Sequence, residues 1–390
     1  LSLKLVHTSD WHLGKILFGK KLTEEQCLYF EKEFFPFLKE TRPDILLITG
    51  DVFDRPNPDL ETQNLLVSVL KKILDLKIPT IIIPGNHDSK RLTLFKDFLC
   101  HLNLLLVDDL SRFYEPFVLD SEEPCYFYIF PYLSFYELKT YLEELFPIQL
   151  KNLQGDLTYS KLFSFAVSQL REVKRPAFFL GHFAVERGIF SGEETLLRGI
   201  GSEEVLPLSS LAVFDALFLG HLHRMQNPAK GIYYSGSILP YSFDEAGHSK
   251  GVWFFEWKDG KMVREERVFL SPTIEMVTVK GTFEEVIKSP SCKAFVRVIL
   301  EDEMPIFNAF ERLKEKFPNL VALDYEKELK EREIEPEAWE VREEIVLDEK
   351  ELFREFYRFV EGREVGEDVW RVYKTLVEEL KKLEEVELCQ

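Results

Sequence analysis

Leu3-Lys4-Leu5-Val6-His7-Thr8-Ser9-Asp10-Trp11-His12 is a short aliphatic run that breaks into a carboxylate and an imidazole. Its length and composition predict a buried strand followed by a functional loop. The same grammar returns along the chain. Asp44–Thr49 leads into Gly50-Asp51-Val52-Phe53-Asp54, and Pro79–Ile83 into Gly85-Asn86-His87-Asp88. Ala177–Leu180 leads into Gly181-His182, and Ala216–Leu219 into Gly220-His221-Leu222-His223. Further strands are expected at Leu104–Val107, Tyr126–Phe130 and Ile232–Tyr234, with helices at Thr23–Glu40, Leu60–Leu76 and Thr158–Val173. Apolar strands alternating with helical stretches predict an α/β fold with a largely buried sheet, and binding groups collect at the strand ends of such sheets.

Each polar segment alone is a weak signal, since an isolated Asp-x-His or Gly-His recurs by chance. Together they form a set of carboxylate, amide and imidazole donors without a thiolate. That set suits a pair of first-row divalent cations such as manganese, whereas calcium would call for more oxygens. Two cations about 3.5–4 Å apart can hold a phosphodiester, activate water near neutral pH and neutralise an in-line transition state. Asp51 is the natural bridge, because one carboxylate has two oxygens.

These segments resemble the motif set of the calcineurin-like metallophosphoesterases, and the wording of 7–14 and 50–54 resembles their SbcD branch. Gly236-Ser237-Ile238-Leu239-Pro240-Tyr241-Ser242-Phe243-Asp244-Glu245 with Ser249-Lys250-Gly251 is similar to the segment that follows the last metal histidine in that branch. The resemblance implies a sandwich of two β-sheets flanked by helices over residues 1–270. It places one metal on Asp10, His12, Asp51 and His223 and the other on Asp51, Asn86, His182 and His221. His87 is left as the catalytic histidine that contacts the scissile phosphate and assists the leaving group, and Asp88 would orient His87 or a ligand. The implied activity is a manganese-dependent DNA nuclease, with magnesium as a substitute. It would act 3′→5′ on duplex ends and endonucleolytically on hairpins and single strands. The family works as a dimer of nuclease subunits with two copies of an SMC-like ATPase, SbcC. ATP would be bound by that partner, since no Gly-x-x-x-x-Gly-Lys-Ser/Thr occurs here.

The rest of the chain is read as three further pieces. Residues 271–325 predict a small β-α-β-α-β module, which the resemblance makes a DNA-capping domain. Residues 326–347 are a charged linker, and 348–390 carry two amphipathic helices whose apolar faces need cover, from their own domain or from a partner. Under the resemblance this helical hairpin docks on the ATPase. Residues 326–390 hold 22 acidic and 12 basic side chains, about half of the chain's net charge of −19. So acidic a chain does not grip nucleic acid through a generally basic surface. Lys15, Lys20, Lys21, Arg55, Lys90 and Arg91 flank the motifs as candidate phosphate contacts. The five cysteines are scattered, with no Cys-x-x-Cys, and no long uncharged apolar stretch occurs. Those features predict a soluble, cytoplasmic protein without a membrane span, nucleoid-associated when on DNA. His7, His101 and His248 read as core or surface residues, and Asp54 as a structural hydrogen-bonding group. Two other functions remain open: a two-metal phosphodiesterase or phosphatase on small nucleotides or phosphoproteins, and a nuclease-inactive scaffold for the ATPase.

Overall fold

A computed structural model describes residues 2–88, 92, 96, 99, 103–119, 123–153, 157–191, 205–327, 366 and 369–371. Residues Leu1–Glu326 form one compact unit and Lys327–Gln390 another. Strands of the first unit are β1 (Leu3–Thr8), β2 (Ile16–Leu17), β3 (Lys20–Lys21), β4 (Ile45–Thr49), β5 (Thr80–Ile83), β6 (Leu104–Leu106), β7 (Phe117–Leu119) and β8 (Cys125–Phe130). They continue with β9 (Ala177–His182), β10 (Ala216–Gly220), β11 (Ile232–Tyr234), β12 (Gly251–Lys258), β13 (Lys261–Phe269), β14 (Met276–Gly281), β15 (Phe295–Leu300) and β16 (Leu320–Tyr325).

Two sheets carry the fold. The six-stranded one runs β13-β12-β1-β4-β5-β6 and the five-stranded one β11-β10-β9-β8-β7. From β1 to β6 the pairing is parallel, as it is from β8 to β11, while β12, β13 and β7 add antiparallel edges. Parallel strands buried on both faces favour apolar residues at most positions, which is why these runs read as near-continuous Leu, Ile, Val and Phe. Period-two alternation then divides them. Leu5, Leu47, Ile81 and Ile83 meet Phe127, Ile129, Phe178, Leu180 and Phe218 in the core between the sheets. Val6, Leu46, Ile48 and Ile82 face the helical layer of the first sheet, and Tyr128, Phe130, Phe179 and Leu219 face that of the second. The expected two-sheet sandwich is therefore the observed one.

Helices differ from expectation in detail. The first is interrupted, running as Thr23–Tyr29, a π turn over Phe30–Phe34 and then Phe35–Thr41, and ending where Arg42 turns left-handed at φ 46°. The helix Leu60–Asp75 starts at Asp59, whose side chain accepts from Thr62 N, an N-cap that satisfies one orphan donor. The β12–β13 hairpin is not among the strands expected from the sequence. Its outer strand, Lys-Met-Val-Arg-Glu-Glu-Arg-Val-Phe, is mostly exposed and its charges conceal the β pattern.

A third, parallel sheet, β14-β15-β16, carries the helices Phe283–Lys288 and Ala309–Lys314 over its own core of Val286, Val296, Val298, Leu300, Leu313 and Phe317. Met276 and Phe295 also join the helix-side core of the first sheet. The linker and helical hairpin expected after Glu326 lie outside the described residues apart from Lys327, Gly366 and 369–371.

Candidate metal centre

The two sheets converge where β4, β9 and β10 end. A Cβ built on Gly220 would stand 1.8 Å from the carbonyl oxygen of Thr49, so only glycine lets β10 approach β4 this closely. Gly50 lies at φ +92°, and a side chain there would enter the His182 ring. Just beyond these strand ends Asp10, His12, Asp51 and His221 take positive φ values of 50°, 44°, 49° and 98°. Non-glycine residues in that region store strain, which concentrates at functional sites. The strained loops are tied to one another. Asp10 N donates to Gly50 O at 3.0 Å, His12 N to Asp51 O at 2.9 Å and Leu13 N to Val52 O at 2.9 Å. His221 N donates to Asp10 Oδ1 at 2.9 Å.

These loops bring all the expected ligands together, all buried except Asn86, which is half-buried. His12 Nε2 and His223 Nε2 are 3.0 Å apart. Asp51 Oδ2 lies between two histidines, 3.5 Å from His12 Nε2 and 3.3 Å from His182 Nε2. Asn86 Oδ1 is 3.0 Å from His182 Nε2 and 3.1 Å from His221 Nδ1. Asp10 stands in two groupings whose donor atoms lie within 4.8 Å of one another, one with His12 and His223 and one with Asp51 and His182.

This donor set fits divalent cations. His182 Nδ1 donates to Thr49 O at 2.9 Å, and His223 Nδ1 faces Glu245 Oε1 at 3.1 Å, so in each ring the other nitrogen points inward. Two imidazole nitrogens aimed at each other beside two carboxylates are mutually unfavourable unless a cation or proton lies among them. The titration directions agree. Burial pushes His221 down to about 3 and lowers His12 as well, leaving neutral, ligating imidazoles. Burial works against charge on Asp51 too, but His182 and His12 hold it well below the usual carboxylate range. Desolvation likewise opposes the His182 imidazolium, yet Asp51 raises it to about 9. The Asp51–His182 pair thus holds a proton that a cation would displace.

His87 stands beside the cluster. Its backbone N donates to Asp51 Oδ1 at 2.9 Å, its Nδ1 pairs with Asp54 O at 2.9 Å, and its ring lies 4.8 Å from that of His12. Asp88 does not orient the His87 ring or a ligand side chain, as its position beside them leads one to expect. Its carboxylate accepts the backbone N–H groups of Val52, Phe53 and Gly85 at 3.0, 2.8 and 2.9 Å, pinning the Asp51 loop to the Asn86 loop. Burial and the Asp51 charge raise Asp88 above the ordinary range, against those three donors.

Two further residues support the loops, Gln26 without a sequence signal and Asp54 in the structural role expected of it. Gln26, fully buried on the first helix, donates to Trp11 O, His12 O and Tyr241 OH at 3.1, 2.8 and 3.0 Å and accepts from Gly14 N at 3.0 Å. Asp54 sits 3.5 Å from His12 Nδ1 and 3.0 Å from Lys15 Nζ. Burial resists its charge, but His12 and Lys15 bring it down to about 2. Lys15 is therefore engaged inside the protein rather than offered to phosphate, and Lys21 is paired with Asp59 and Glu61 at 2.6 and 2.8 Å. Lys90 and Arg91 lie outside the described residues, as does His101. His7 is a core residue, hydrogen-bonded through Nε2 to Thr49 Oγ1 at 2.8 Å.

Comparison with known proteins gives the family. The model of the calcineurin-like phosphoesterases matches residues 3–225, and that of the type 5 capsule protein repressor C-terminal domain (SbcD_C) matches 272–361. The SbcD subunit of the nuclease SbcCD from Staphylococcus epidermidis is 31% identical over 82% of this chain and 85% of its own length. That of Staphylococcus saprophyticus is 28% identical over 97% of this chain and 100% of its own. A dimetal phosphatase structure from Danio rerio aligns at 12% identity over 69% of this chain and 99% of that one, with a TM-score of 0.38. Among the described residues no helix is long and apolar enough to cross a membrane. The chain is a metal-dependent phosphodiesterase, and it belongs to the calcineurin-like phosphoesterases, in the family of the SbcD subunits of the nuclease SbcCD.

Proposed function

We propose that this protein is a manganese-dependent DNA nuclease subunit that processes double-strand breaks with an SMC-like ATPase of the SbcC type. It would degrade duplex ends 3′→5′ and open hairpins and single strands endonucleolytically. The observation that carries the reading is the convergence of Asp10, His12, Asp51, Asn86, His182, His221 and His223 at the meeting point of two sheets, in a chain whose relatives are named nuclease subunits. One cation is assigned to Asp10, His12, Asp51 and His223, and the other to Asp51, Asn86, His182 and His221. Bound divalent cations supply charge neutralisation at the phosphate and activation of water near neutral pH.

The protein's own groups do the rest. Asp51, central among the histidines, holds both halves of the site in register. His87 is anchored through Nδ1 to Asp54 O at 2.9 Å, beside the ring of His12. Its other nitrogen, Nε2, can contact a non-bridging phosphate oxygen, and in the imidazolium form it can give its proton to the departing 3′ oxygen and be left as neutral imidazole. Asp88 acts through the backbone, holding the loops that carry Asp51 and Asn86.

The domain assignment belongs to the same proposal: 1–270 as the nuclease domain, 271–325 as a cap that helps select DNA, 326–347 as linker and 348–390 as the ATPase-binding segment, in a homodimer within a heterotetramer. The test is cleavage of end-labelled linear and hairpin DNA by the purified chain with manganese, magnesium or chelator, with and without the ATPase and ATP. Manganese-dependent cutting that partner and ATP extend on duplex ends is expected. Turnover of a simple phosphodiester without any DNA cutting would overturn the nuclease reading and move the function to small substrates.

A further inference from the structure

The segment 236–251 wraps the last expected ligand. Gly236, at φ +73°, leaves no room for a side chain, since a Cβ would lie 2.5 Å from His223 O. Ser237 N donates to that same carbonyl at 3.1 Å, and Lys250 Nζ donates to it at 3.1 Å as well. Glu245 reaches the other side of the residue, with Oε1 3.1 Å from His223 Nδ1. Its second oxygen is paired with Lys250 Nζ and accepts from Ser237 Oγ at 3.0 Å, while Lys250 Nζ also donates to Ser237 Oγ at 2.6 Å.

Glu245 is 1% exposed and Lys250 2%. A buried ion pair of this kind is seldom retained for stability, because desolvating two charges offsets most of their attraction and apolar replacements often serve as well. What the pair specifies here is the orientation of one ring. A carboxylate on Nδ1 requires that nitrogen to carry the proton, which leaves the Nε2 lone pair directed at the cluster and makes it more basic. Lys250 meanwhile neutralises the carboxylate and grips the backbone of the residue being oriented.

We propose that Glu245 is a positioning residue for His223, with Lys250 as its counter-charge, and that the pair sets the affinity of one of the two metal positions without touching the other. This inference rests on His223 being a metal ligand, as proposed above. The test is Mn2+ titration of the full chain, followed by the electron paramagnetic resonance signal of free Mn2+. It compares wild type, Glu245→Gln, the double variant Glu245→Leu/Lys250→Met, and His223→Ala, each checked for a cooperative melt. Wild type should bind two cations. The double variant, which removes both buried charges together, should bind one of them about 10–100-fold more weakly and the other as wild type does. Glu245→Gln keeps an acceptor for Nδ1–H but loses the charge, so it should fall between the two.

If the folded double variant binds both cations like wild type while His223→Ala loses one, the positioning role is overturned and the ligand assignment survives. If His223→Ala itself binds both like wild type, the ligand assignment fails and the inference with it. Equal weakening at both positions also overturns the inference, because general loosening of the fold would produce that pattern. Should the double variant not fold, Glu245→Gln decides alone by the same criterion of one weakened position.

Discussion

Gly85→Ala is a sharp perturbation of the site because it adds a single methyl group and no charge. Gly85 is outside the left-handed region, so alanine there brings no backbone penalty and the whole effect is steric. The added Cβ would stand 2.2 Å from Asp51 Oδ1, 2.4 Å from Asp51 N and 2.7 Å from His182 Cε1, where ordinary contact begins at 3.4 Å. Both neighbours are buried and neither can swing into solvent. The shortfall against Asp51 is therefore about 1 Å, and a displacement of that size at reacting groups costs about 10²-fold in rate. Overpacking should also lower stability by about 1–3 kcal/mol. The assay pairs turnover of a simple phosphodiester, at saturating Mn2+, with thermal unfolding. Gly260→Ala serves as the contrast. Gly260 lies in the β12–β13 turn at φ +72° with nothing within 4 Å of a built Cβ. That variant should lose about 1–2 kcal/mol of stability to left-handed strain and keep full turnover. Unchanged turnover in folded Gly85→Ala would refute the argument that Asp51 and His182 must hold their present spacing.

Three other outcomes are expected. His87→Asn should retain both cations and lose about 10²–10⁴-fold in turnover, whereas loss of a cation would make His87 a ligand. In the metal-free protein the raised His182 contributes stability that is complete below pH 6.5 and fades as pH climbs through about 9, so urea unfolding in chelator should show declining stability across that window. Saturating Mn2+ should flatten the decline, because the cation takes the proton's place. A slope identical with and without Mn2+ would count against the assignment of His182 to a cation. His7, buried and lowered to about 3, acts in the opposite sense. Its contribution is present above pH 6.5 and lost as pH falls, by about 3 kcal/mol between pH 7 and 4. His7→Gln should make the acid loss smaller by that amount, and an equal loss in both proteins would remove His7 from the account.

The core strands and the identity of the site were legible because one physical pattern produces both. A strand buried on two faces is largely apolar, so the cluster of polar residues that follows such a run marks where the chain leaves the sheet, and that is where ligands stand. β1, β4, β5, β9 and β10 could therefore be marked to within a residue or two, each with its Asp, Asn or His. Local composition could not reveal the left-handed turns at Asp10, His12, Asp51 and His221, which are set by hydrogen bonds between loops distant in sequence. Nor could it separate the roles of like residues. Asp88 is expected to orient His87 or a ligand and Asp54 to be structural, yet Asp88 binds three backbone N–H groups while Asp54 sits between a lysine and a ligand histidine. Gln26 reads as one more polar position on an amphipathic helix, though it is fully buried and supports the loop that carries His12. Neither strand of the β12–β13 hairpin is among those expected: charges conceal β13, an edge strand with a solvated face, whereas β12 is apolar and buried and its pattern alone does not account for the omission.

This division has a mechanistic consequence. The ligands announce themselves because their chemistry is rare, but their spacing depends on groups chosen for size or for a single hydrogen bond. Gly50, Gly85 and Gly220 admit the close approach of two sheets, and Gln26, Asp88 and Glu245 fix loops or rings without reaching substrate. A centre assembled from strand ends of separate sheets has no local element to hold it, so its geometry is a property of the sandwich interface. Changes at those supporting positions should therefore alter cation affinity and turnover while every ligand remains in place.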